Sequence, residues 1–222
     1  MARKVSIELS EPLLVRGIGL TRNYRSSKHI DKLFDVKEEL NQHDKHLLHQ
    51  VRMKLIENAY SWNEEELKMQ FISMIMFLAD FESPIRTYYD REISEMVGDI
   101  FIRCEADMLL SKGIGELIET PYFFLHEYKR EKKYSGDPVG EMLAGMLVGQ
   151  AKNNNENHNA NRPMYGCYVQ GRFWFFSVLD GKEYVIGPSL DATDEIMAER
   201  LVLILKNLNK IILETLVRID EK

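Results

Sequence analysis

The segment PYFFLHEYKRE, residues 121–131, limits the fold more than any other stretch of the chain. Its aromatic and aliphatic residues are typical of a buried β-strand. Yet the segment also carries Glu127 and Lys129, which the alternation of a strand places on one face. Because a carboxylate buried without a partner costs free energy, the pair predicts either a salt bridge at the end of the strand or a functional site.

A second carboxylate, Asp107, interrupts the apolar segment CEADMLL. If this segment and residues 121–131 form neighbouring strands, Asp107 and Glu127 meet at one edge of the sheet. Two close carboxylates repel each other unless a cation lies between them, and Mg²⁺ prefers such oxygen ligands. We therefore predict that Asp107 and Glu127 bind Mg²⁺, with Mn²⁺ as a second candidate. Lys129 would position a metal-bound water or help to deprotonate it.

A helix over residues 62–81 is predicted from its apolar stripe, with Asn63 as its N-cap. Glu64 falls near the inner edge of that stripe. A glutamate there could complete the metal shell, or it could stabilise the helix by complementing the helix dipole. The sequence favours neither interpretation over the other.

Hydrophobic periodicity predicts that strands and helices alternate along the rest of the chain. Residues 1–35 are expected to form one or two short strands and a loop. The expected elements that follow are a helix over 36–60, two strands within 91–110 and a loop over 111–120. After them we expect a helix over 137–153 begun by Asp137 and Pro138, two or three strands within 163–187, and a final helix over 194–218 capped by Asp191. This order indicates an α/β or α+β fold in which helices flank a central mixed sheet. The expected division is an N-terminal strand and helix appendage, 1–61, and a main domain, 62–222.

In the order helix-Glu64, strand-Asp107, strand-Glu127-x-Lys129 and helix, the chain resembles the PD-(D/E)XK nuclease superfamily. It is similar to the N-terminal nuclease domain of type I restriction enzyme R subunits and its small stand-alone relatives, over roughly residues 62–190. The resemblance implies a restriction-endonuclease-like core and an Mg²⁺-dependent endonuclease in which these four residues are catalytic, the three acids also binding the metal. Glu141 departs from the pattern, because family members often carry glutamine there.

The formal net charge of −6 argues against a surface that is basic throughout. A local basic patch, KREKK, nevertheless follows Tyr128. The residues expected to contact nucleic acid, with DNA as the expected substrate, are Arg130, Lys132, Lys133, Gln150 and Arg172.

An alternative is a catalytically inactive nuclease-fold protein that binds nucleic acid or another protein. The helical pattern of residues 36–60 is also compatible with a homodimer. Because no apolar run reaches about 18 residues, we expect no membrane span. The start of the sequence lacks a secretory-signal pattern, and Cys104 and Cys167 lack metal-ligand spacing, so we expect a cytoplasmic protein with free thiols.

Overall fold

Eight strands form one sheet in the computed structural model, which describes residues 9–81, 83–129, 136–155 and 162–220. The strands are β1 (Thr21–Arg22), β2 (Ile85–Val97), β3 (Ile100–Ile114), β4 (Leu117–Lys129), β5 (Met164–Gln170), β6 (Phe173–Asp180), β7 (Glu183–Ile186) and β8 (Leu190–Asp191). Their order is β1-β7-β6-β5-β4-β3-β2, and β8 pairs with β6. Strands β2, β3 and β4 form an antiparallel meander, whereas β4 and β5 run parallel, so the predicted mixed sheet is confirmed.

Helices cover both faces of this sheet. They are α1 (Glu11–Ile18), α2 (Lys28–Phe34), α3 (Gln42–Asn58), α4 (Glu64–Leu67), α5 (Ser73–Ala79), α6 (Pro138–Asn155) and α7 (Glu195–Asp220). A π-helical turn, Lys68–Ile72, joins α4 to α5. Helix α6 is the crossover between the parallel strands β4 and β5, a connection that such a pair requires. None of the helices in the described ranges combines the length and apolar character that a membrane span requires.

Two apolar clusters lie on opposite faces of the sheet. One packs beneath α3, α5 and α7 and includes the buried side chains of Phe71, Trp174 and Leu205. The other packs beneath α1 and α6 and includes Leu14 and Leu143. The side chain of a sheet residue therefore meets one of two distinct helical layers, according to the face on which it lies.

The predicted loop at 111–120 is wrong, because these residues form the end of a β-hairpin. Strand β3 continues to Ile114 and pairs with β4 from Leu117 onward, with Gly115 in the turn at a φ of 61°. The polar composition of the segment conceals the pairing. Ser111 is fully buried, but its hydroxyl donates to the carbonyls of Glu119 and Pro121.

Two helix starts also differ from expectation. Helix α7 is capped by Asp194, whose Oδ1 accepts from the Met197 amide at 2.9 Å, whereas Asp191 accepts from the Thr193 amide. Helix α3 begins at Gln42, after the cap Asn41, rather than near residue 36. By contrast, Asp137 caps α6 as predicted, since its Oδ1 accepts from the Gly140 amide at 3.1 Å.

Residues 9–61 contribute to the same cores as the rest of the chain. They contain α1 and α2 where strands and a loop were expected, and β1 adds to the sheet beside β7. Leu14 enters the cluster beneath α6, whereas Leu33 and Leu55 enter the other. The division at residue 61 stays a prediction.

Candidate active site

Carboxylates occupy facing positions on three neighbouring strands. Tyr89 pairs with Met108 and Arg91 with Ala106, so Asp90 of β2 lies opposite Asp107 of β3. The β3–β4 ladder pairs Met108 with the residue before Glu127, which places Glu127 opposite Asp107 in turn. The sheet thus brings together the two acids that the sequence predicted as neighbours and adds Asp90 beside them.

Glu127 and Lys129 form a hydrogen-bonded pair on the face of the sheet that α6 covers. Lys129 Nζ donates to Glu127 Oε1 at 2.7 Å, and both side chains are largely buried. Glu127 itself is only 5% exposed. This geometry agrees with the common face predicted for Glu127 and Lys129. The pair lies at the carboxyl ends of the parallel strands β4 and β5, where open α/β sheets commonly bind ligands.

Asp107 is held by the backbone of the next strand. Its Oδ2 accepts a hydrogen bond of 2.7 Å from the Tyr128 amide, just beyond the last paired residues of β3 and β4. Burial raises the pKa of Asp107, although this hydrogen bond and the positive charges of Lys129 and Lys68 act in the opposite direction. The hydrogen bond fixes the orientation of the carboxylate beside Glu127.

Glu141, in the first turn of α6, also contacts the Glu127–Lys129 pair. Its Oε2 lies 2.9 Å from Lys129 Nζ, so the ammonium bridges two carboxylates. A Cβ at Gly136 would lie 2.1 Å from Glu141 Oε1, which shows how closely the chain before α6 approaches this carboxylate. Sequence analysis treated Glu141 only as a departure from a family pattern. The available signal was topological, because the first turn of a crossover helix lies near the end of the preceding strand.

Electrostatics in this cluster disfavour the ionised form of Glu127. Burial, the charge of Asp107 and a hydrogen bond with Glu141 raise the pKa of Glu127 to about 9, and Lys129 only partly offsets them. Burial lowers the pKa of Lys129, but Glu127 and Glu141 outweigh it, so the pKa of Lys129 lies above its ordinary value. Without a metal, Lys129 therefore stays charged and Glu127 keeps a proton at neutral pH.

On the opposite face, the helix with Glu64 reaches the site through Lys68. Lys68 Nζ lies 2.6 Å from Asp90 and contributes positive charge to the surroundings of Asp107. Asp90 has a φ of 51°, in the left-handed region that aspartate tolerates better than most residues. Glu64 is half-buried one turn before Lys68.

The three predicted metal ligands do not form a ready-made group. Among the described ranges, no three His, Cys, Asp or Glu side chains are arranged to hold a metal ion. Asp107 and Glu127 do interact, because the charge of Asp107 contributes to the raised pKa of Glu127, but their assignment as metal ligands stays a prediction. The assignment of Glu64 as a ligand stays a prediction.

The predicted nucleic-acid contacts are only partly covered by the structure. Arg130, Lys132 and Lys133 lie outside the described residues. The Gln150 amide, oriented to satisfy both partners, donates to the Gly181 carbonyl at 3.0 Å and accepts from its amide at 3.2 Å, which anchors the β6–β7 turn. Arg172 follows β5, with its Nε 3.3 Å from Asp191. Both have structural partners, and their contact with nucleic acid stays a prediction.

No protein-family model matches the chain, and no curated protein matches it by sequence.

Proposed function

We propose that the chain is a metal-dependent phosphodiester hydrolase, a nuclease, with DNA as its expected substrate. One observation carries the proposal: Glu127 and Lys129 lie 2.7 Å apart on one face of β4, and Asp107 of the adjoining strand lies opposite Glu127. Their setting also supports it, because a helix, a three-strand meander, a crossover helix and a parallel strand follow in the order expected for a PD-(D/E)XK core.

Asp107 and Glu127 would hold the metal. Both are oxygen donors of the kind that Mg²⁺ and Mn²⁺ prefer, and a divalent cation would relieve the repulsion that helps to raise the pKa of Glu127. When bound, the ion would polarise a phosphoryl oxygen and lower the pKa of a coordinated water. Binding at neutral pH would also displace the proton of Glu127.

Lys129 would act as a charge rather than as a base. Its raised pKa keeps the ammonium protonated at neutral pH, so it cannot remove a proton from water. The ammonium would orient the water and stabilise negative charge that develops on the phosphate. Glu141 would hold Lys129 in place through their 2.9 Å contact.

A cleavage assay tests the proposal. We expect the purified protein to cut plasmid or single-stranded DNA with Mg²⁺ or Mn²⁺ and to lose activity in EDTA. Asp107→Asn and Lys129→Ala should each lower the rate by about 100-fold or more. Lys210→Ala is the matched control, because this exposed lysine pairs with Glu38 away from the site. Cleavage that survives both site variants would contradict the assignment.

The second candidate is a nuclease-fold protein that binds without cutting. It is favoured by the contacts of Lys129 with both Glu127 and Glu141, since these contacts engage side chains that would otherwise face a metal. The lack of a preformed group of three metal ligands among the described residues also favours it. Calorimetric titration separates the two candidates. No heat of binding at millimolar Mg²⁺ or Mn²⁺ would support the non-catalytic function.

A further inference from the structure

A cavity of about 470 Å³ lies beside the middle of β4, away from the candidate active site at the end of the strand. Its walls include Phe123, which precedes Glu127 by about 13 Å along the strand. Helices α2 and α7 and the start of β5 complete the walls. The volume falls within the range of small-molecule sites, about 300–1,000 Å³.

The inner wall of this cavity is apolar and firmly held. Phe123, Ile211 and Ile212 are each no more than 6% exposed overall, and Ile211 and Ile212 belong to α7. Asn153 also lines the cavity, where its side chain forms two 2.7 Å hydrogen bonds with the Tyr122 backbone. The amide thus fixes the end of α6 to β4. This wall is therefore a preformed apolar surface against which the apolar part of a ligand could pack.

The titratable lining differs in charge from the protein as a whole. The described lining includes Lys28, His29, Lys32 and Arg162 but neither aspartate nor glutamate, although acids outnumber bases in the chain. Lys32 pairs with Glu214 at 2.8 Å, and both are about half exposed, so that ion pair is weak and exchangeable. The lining is therefore suited to an anionic group.

We propose that this cavity binds a small organic anion, with its apolar body against Phe123, Ile211 and Ile212 and its anionic group near Lys28, Lys32 and Arg162. A phosphate ester and a carboxylate share this chemistry. The site is separate from the proposed nuclease centre, and the inference does not depend on that function.

Nuclear magnetic resonance titration of the full chain with naphthyl phosphate and with naphthoate tests the proposal. We expect at least one to bind with a Kd below about 1 mM, which is within reach of a ligand of about 15 heavy atoms at modest efficiency. The preferred anion identifies the head group. Amide signals of Ile212 and Thr215 should shift, whereas those of Lys129 and Glu141 should not. Inorganic phosphate and neutral naphthylmethanol should each bind at least about tenfold more weakly.

Charge reversal supplies the second arm of the test. Lys32→Glu should weaken binding by about tenfold or more, whereas Lys210→Glu should leave it unchanged. The two lysines are closely matched, because their side chains are 50% and 53% exposed and each pairs with one glutamate. Thermal unfolding checks that both variants are folded. Equal binding by the two variants, binding of neither anion, or shifts confined to Lys129 and Glu141 would overturn the proposal.

Discussion

Glu127 should make the folded chain less stable as pH rises. Its pKa is about 9 in the folded state, against about 4.3 for an unperturbed glutamate. Between those values the folded chain holds a proton that the unfolded chain has lost, so the free energy of unfolding falls with rising pH. In EDTA, we expect the Tm of Glu127→Gln to fall less than that of the wild type between about pH 5 and pH 9.

Glu105→Gln is the control for this measurement, because Glu105 is an exposed glutamate on β3. Its Tm should follow the wild-type curve. If Glu127→Gln also follows the wild-type curve, Glu127 does not keep its proton in the folded state.

Glu141 should matter more to catalysis than Glu64, if the proposed function holds. Glu141 contacts Lys129 at 2.9 Å, whereas the described residues include no three-carboxylate group through which Glu64 could join Asp107 and Glu127. We expect Glu141→Gln to lower the Mn²⁺-dependent cleavage rate by about tenfold or more and Glu64→Gln to lower it less. A larger loss of rate for Glu64→Gln than for Glu141→Gln would support a role for Glu64 in the site.

Sequence analysis could anticipate part of this site for a physical reason. The common face of Glu127 and Lys129 follows from local alternation, and the proximity of Asp107 needs only that two successive strands pair. The placement of Glu141 depends on where a crossover helix returns over the sheet. That is a long-range property, so Glu141 was noted but given no role.

At the scale of the elements, Asp107 has a structural task besides its proposed chemical one. Its carboxylate accepts from the Tyr128 amide where β3 and β4 stop pairing. Asp107→Ala should lower the free energy of unfolding by about 1–3 kcal/mol, because that amide loses its acceptor. Asp107→Asn retains an oxygen and should cost less, although it removes the negative charge. Urea unfolding compares the two, and equal losses would argue against this structural role.

The elements that sequence analysis placed well have strong local signals. Asp137 followed by Pro138 marks the start of α6, and the apolar runs of β4 and β6 mark strands. The paired end of the β3–β4 hairpin differs from the predicted loop, because its glycines and charges are typical of a loop. Gly113 is in fact required by close packing, since a Cβ there would lie 2.4 Å from the Leu117 carbonyl oxygen.

At the scale of the whole molecule, the N-terminal segment should contribute to global stability. Leu14 of α1 is fully buried in the cluster shared with α6, whereas its neighbour Leu13 is 38% exposed. We expect Leu14→Ala to lower the free energy of unfolding by about 2–5 kcal/mol and Leu13→Ala to lower it by less than about 1 kcal/mol. A single transition in denaturant should report both changes.

If Leu14→Ala leaves the main transition unchanged and adds a separate early one, α1 unfolds independently and the division at residue 61 gains support. The contacts favour one cooperative unit, because the Glu11 amide donates to Asp137 at 2.7 Å, at the start of α6. Sequence analysis anticipated helices flanking a mixed sheet. It could not anticipate which helix covers which face, since that depends on contacts between distant segments.

The π-helical turn at Lys68–Ile72 gives the site an unusual tolerance to the loss of one residue. A π-turn accommodates one residue more than an α-helical turn, and each residue of an α-helix rotates the chain by about 100°. Deleting Gln70 would let the π-helical turn become α-helical, while the buried side chains beyond it would keep their positions. The helical segments on either side would keep their faces, so Lys68 would stay beside Asp90. A one-residue deletion at this turn should therefore leave both the core and the charge balance of the site unchanged.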